Sequence, residues 1–107
     1  MIFKPQKITG RIPEGNYTGV IIEQSSSSDE RYVWLKIEVE GIEAIFNVAI
    51  PVSSMTFNKF AQTFSNSNGE VNTEDFINVM IEFSVTDREI NGEVYSKIKT
   101  IEAVMEE

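Results

Sequence analysis

Between Arg31 and Glu40 the chain alternates without a fault. Val33, Leu35, Ile37 and Val39 share one parity, and Tyr32, Trp34, Lys36, Glu38 and Glu40 share the other. A helix would spread four aliphatics at this spacing around its circumference. A strand places every second side chain on the same face. Arg31 shares the aliphatic parity at the strand's start. The chain therefore needs a sheet with one covered face and one open face.

The neighbouring segments supply the rest of such a sheet. Tyr17 to Gln24 predicts a first strand, with Val20 and Ile22 opposed to Ile21, and Gly19 inside it signals a bulge or sharp bend. The polar run Ser25 to Glu30 is an exposed loop. Gly41 turns the chain into a third strand, Glu43 to Ile50, with Ala44, Phe46, Val48 and Ile50 inward and Ile45, Asn47 and Ala49 outward.

Pro51 ends that strand, and Ser53 or Ser54 caps a helix reaching Phe64. Phe57, Phe60, Ala61 and Phe64 fall at i, i+3, i+4 and i+7, one apolar stripe. Thr73 to Ile77 predicts a short helical turn capped by Thr73. A fourth strand carries Val79, Ile81, Phe83 and Val85 on one side and Met80, Glu82, Ser84 and Thr86 on the other. Asn91-Gly92 is a strong two-residue hairpin signal. The last strand, Glu93 to Val104, holds Ile98 and Ile101 at opposite parity, which predicts a bulge between them.

Three strands, a helix and two strands is the element order of the OB fold. The expectation is an all-β domain with one helix: a five-stranded Greek-key barrel over residues 16–107, its helix between the third and fourth strands. Residues 1–15 read as an N-terminal arm, locally basic through Lys4, Lys7 and Arg11 and denied a helix by Pro5 and Pro13.

Composition narrows the chemistry. The absence of cysteine removes disulfides, thiolate metal sites and cysteine nucleophiles, and the absence of histidine removes the commonest general base and metal ligand. The acidic pairs Asp29-Glu30 and Glu74-Asp75 are adjacent residues, whose side chains do not converge on a helix or strand face. Asp87-x-Glu89-x-Asn91-Gly92 faintly resembles a calcium loop, but Ile98 stands where a bidentate glutamate is required. The reading is a protein without catalytic residues, metal or cofactor. No apolar h-region opens the chain and no stretch could span a membrane, so a cytoplasmic location is expected.

The segment Ile12 to Val20, Glu74 to Ile81 and the run Asn91 to Lys99 resemble, respectively, the opening, the entry to the fourth strand and the last hairpin of small phage and mobile-element proteins related to single-stranded-DNA-binding proteins. In that family a glycine is frequent at the position of Asn78. The resemblance spans residues 12–104 and consists of turn residues and alternation. It implies an OB fold and single-stranded DNA binding in replication or recombination.

Single-strand binders need aromatic faces for bases and cations for the backbone. The outward positions of the second strand offer Tyr32, Trp34 and Lys36, and those of the fifth offer Tyr95, Lys97 and Lys99. Arg88 is expected in the loop between the fourth and fifth strands, and Asn47 on the third strand could meet a base edge. Tyr32 and Trp34 could equally pack under the arm or in a homodimer interface. The net charge of −8 repels polyanions unless the cations gather on one face. A second reading is therefore an acidic module on the same barrel that binds a basic protein partner. Charge segregation separates the two: cations beside Tyr32 and Trp34 favour DNA, whereas Glu38, Glu40, Glu43 and Glu82 crowding that face favour a protein.

Overall fold

The computed structural model describes residues 7–104. Its strands are β1 (Lys7–Thr9), β2 (Gly15–Ser26), β3 (Tyr32–Val39), β4 (Ala44–Pro51), β5 (Met80–Ile90) and β6 (Glu93–Ala103). One helix, α1 (Met55–Gln62), and a 3-10 turn over Thr73–Phe76 lie between β4 and β5. The domain is mostly β, and its strands form one mixed sheet in the order β1-β4-β3-β2-β5-β6. Only the β1–β4 pair is parallel.

The alternation of β3 is realised as read: Val33, Leu35, Ile37 and Val39 are buried, while Tyr32, Trp34 and Glu38 are exposed. β4 adds Phe46, Val48 and Ile50 to the same core. Ser54 caps α1 by accepting the Phe57 N–H, and Phe57, Phe60 and Ala61 face inward. Phe76, fully buried, is a centre of this aromatic layer, with its ring 5.0 Å from Phe60 and 5.1 Å from Phe64. Asn72, rather than Thr73, caps the short turn that delivers it, by accepting the Glu74 N–H.

β2 is the pivot of the sheet. It pairs with β5 along Gly15–Val20 and with β3 along Gly19–Ser26, so Gly19 and Val20 serve both neighbours. A Cβ at Gly19 would stand 2.7 Å from the Glu38 carbonyl oxygen and 2.8 Å from Ile37 Cγ2, closer than such contacts allow. Gly19 thus marks a close approach, and the bulge expected there lies three residues on. The register passes from Ile21↔Ile37 to Glu23↔Lys36 and leaves Ile22 as the extra residue. The bulge in β6 falls between Ile98 and Ile101 as read. Ser84 pairs Thr100 and Val85 pairs Ile98, so Lys99 is the extra residue and both isoleucines are buried. Asn91 at φ 53° and Gly92 at φ 83° make the tight β5–β6 turn, left-handed at both central positions.

The N-terminal arm is extended and tied down within its described part; Lys4 and Pro5 lie outside the described residues. Lys7–Thr9 pairs with Ala44–Phe46 of β4. Ile12 is buried, and its N–H donates to Ser96 Oγ at 2.9 Å while its carbonyl accepts from the same hydroxyl at 3.1 Å. Arg11 lies 3.5 Å from the Asp87 carboxylate, and the Asp87 N–H donates to Glu14. Residues 7–14 therefore form a strap from β4 to the β5–β6 hairpin. Replacing Ser96 with alanine strands two buried backbone groups at once, and the expected cost is about 1–3 kcal/mol in denaturant unfolding. A change near zero would mean that the strap adds nothing to the fold.

Candidate functional site

On the open face of β3, Tyr32 and Trp34 stand two residues apart, about 7 Å along the strand. Their cross-strand neighbours on β4 are Pro51 and Ala49, too small to cover the rings. Tyr32 keeps 42% of its surface exposed and Trp34 keeps 41%. Asn47 follows on β4, opposite Lys36. The β5–β6 hairpin brings Arg88, opposite Tyr95, and Lys97, opposite Thr86.

These elements meet in one groove of about 470 Å³, where Tyr32, Trp34, Asn47, Arg88, Tyr95 and Lys97 come together. Gly10 of the strap and Ile90 of the hairpin complete its rim. No aspartate or glutamate lines it. Among the described residues, Arg88 and Lys97 make no ion pair, so both charges are available to an incoming group.

Two expected members sit differently. Lys36 lies next door, in a depression of about 370 Å³ that shares Trp34 and Asn47 with the main groove. Its ammonium is 2.7 Å from the Glu23 carboxylate, which the β2 bulge places directly across from it. Lys99 stands apart from the groove, on the bulge of β6, where its backbone carbonyl accepts from Thr56 of α1. Of the arm's cations, Lys4 lies outside the described residues, Lys7 is exposed on β1 and Arg11 is engaged by Asp87.

Tyr95 donates its hydroxyl proton to the Glu93 carboxylate. That bond, with the glutamate's charge, pushes the phenol's pKa above its ordinary value. The group stays protonated through neutral pH, and its exposed ring face remains free for stacking. Ile90 went unread in the sequence, although it shares parity with Arg88 on β5 and so was bound to the same face. Gly10 was missed because a strap docked through distant partners has no local signal.

Apart from Glu93 on Tyr95 and Glu23 on Lys36, two acidic pairs gather elsewhere. Glu38 and Glu40 line a depression with Gly19 and Met80 at the far end of β3. Glu82 and Glu102, paired across β5 and β6, line another. Among the described residues, no three Asp, Glu, His or Cys side chains could jointly hold a metal ion. Nor is any described helix long and apolar enough to cross a membrane.

The chain matches no family model, no curated protein and no solved structure.

Proposed function

We propose that this chain is a non-enzymatic module for single-stranded DNA, built on a five-stranded OB-type barrel with β1 as an added strap. The barrel reading is supported by the strand order β4-β3-β2-β5-β6, by the helix between β4 and β5, and by the approach of β4 to β6 at the two sides of the groove. Bases stack on Tyr32, Trp34 and Tyr95, Arg88 and Lys97 meet the backbone, and Asn47 faces a base edge. The setting suggested by the sequence resemblance is replication or recombination in a phage or mobile element.

One observation carries the reading. On a chain of net charge −8, the groove that gathers the exposed aromatics also gathers two unpaired cations, and the one carboxylate bonded to its aromatics, Glu93, stands outside its lining at the hairpin tip. Such segregation is what a polyanion ligand needs and what a merely soluble acidic surface does not.

Trp34 is the only tryptophan, so its fluorescence reports directly on the groove. Titration with single-stranded DNA at low and moderate salt should give saturable quenching that weakens as salt rises. An unchanged signal at saturating oligonucleotide, with no binding by an independent method, would sink the reading. The second reading, a protein-interaction module, is favoured by the apolar hairpin, where Ile90 and Val94 are exposed beside Tyr95. Sedimentation showing Trp34 covered in a homodimer, with no response to DNA, would replace the first reading with it.

A further inference from the structure

We infer that the groove takes a footprint of only two or three nucleotides, and that acidic residues on its flanks set this limit. The inference rests on the proposed single-strand binding and adds the length of its ligand. Along β3 the open face carries Tyr32, Trp34 and Lys36, then Glu38 and Glu40. Alternate positions are about 7 Å apart, so the two rings offer two stacking platforms within one strand. Tyr95, across the groove, offers a third.

Beyond these platforms, the surface turns negative in each direction. Lys36, the next cation along β3, is neutralised by Glu23 at 2.7 Å. Past it come Glu38 and Glu40, in a depression without a cation. Following β6 away from Lys97, the surface passes Lys99, an exposed cation set outside the groove on the bulge, and then reaches Glu102, directly opposite Glu82. The hairpin tip carries Glu93, bonded to Tyr95. Only Arg88 and Lys97 are left to meet phosphates within the groove. A longer strand would lay its further phosphates against carboxylates, where each added contact repels instead of attracting.

The test is a length series of oligothymidylates, from two to twelve nucleotides, followed by Trp34 fluorescence at several salt concentrations. Affinity should rise to two or three nucleotides and then gain only the statistical factor for multiple registers. With two neutralised phosphates, the slope of log K against log salt should be about −1.4. Glu23→Gln frees Lys36, so it should extend the plateau by about one nucleotide and steepen the slope to about −2.1. Glu38→Gln, on a different strand, should extend the plateau independently. Affinity climbing steadily through eight to twelve nucleotides, or both variants matching the parent, would overturn the limit while leaving single-strand binding intact. No binding at any length would overturn the underlying function and the inference with it.

Discussion

Trp34→Ala should weaken binding of a saturating-length oligothymidylate roughly ten- to a hundredfold and leave the unfolding midpoint almost unchanged, if the proposed single-strand binding holds. The affinity term follows from base–aromatic stacking, worth about 1–3 kcal/mol per base by alanine substitution. The stability term follows from placement. The indole is 41% exposed on the open face, and its cross-strand neighbour is Ala49. Such a pair contributes about 0.2–1 kcal/mol at most to the sheet. Anisotropy with a labelled oligonucleotide checks the first term, since the fluorescent reporter is itself removed, and denaturant unfolding checks the second. The opposite pattern, a domain that unfolds or a dimer that dissociates with DNA affinity untouched, would make Trp34 a packing residue and transfer the case to the protein-interaction reading.

The largest loss of stability should come from Phe76→Ala, at about 3–5 kcal/mol. The side chain is fully buried and its ring contacts Phe57, Phe60 and Phe64 at centroid separations of 6.1, 5.0 and 5.1 Å. Removing it opens a cavity between α1 and the sheet that its neighbours can fill only in part. Small domains hold about 5–15 kcal/mol in total, so this one ring decides a large share of the folded population. Phe64→Ala is the internal comparison, because Phe64 packs in the same cluster but is only half-buried and should cost clearly less. Urea unfolding of both variants provides the measurement. Equal losses would mean that burial does not govern this layer.

The parts of the fold that could be read in the sequence are those whose signal is local and repeated. β3 declares its two faces by four consecutive alternations, and α1 declares its stripe by Phe57, Phe60 and Ala61, although the helix ends at Gln62, short of the expected Phe64. Asn91-Gly92 fixes the hairpin because both positions need left-handed backbone. The Lys99 bulge was legible because two buried isoleucines of opposite parity cannot share a face without it. What escaped depends on partners far along the chain. Three residues of β1 carry no pattern of their own, and their parallel pairing with β4 exists only once β4 is in place. At Gly19 the sequence signals a bulge or a sharp bend, because glycine is the visible irregularity there, and the bulge itself falls at Ile22. The actual reason for that glycine is the backbone of β3 pressed against it. In the site, parity found the aromatics and Lys97 of the groove, whereas Arg88, expected in a loop, stands inside β5. Parity could not show that Glu23 takes Lys36, because that meeting is created by the bulge at Ile22.

The strap also sets an order of events. Ile12 and Ser96 are 84 positions apart, so a segment synthesised earlier closes onto one synthesised much later. At about 5–20 residues per second, the strap waits roughly 4–17 s on the ribosome before its anchor exists. Until then, Ile12 lacks its anchor, and only the three-residue pairing of β1 guards the edge of β4, a template for pairing with another chain. Any slowing of translation between these two points prolongs that exposure without altering the finished protein.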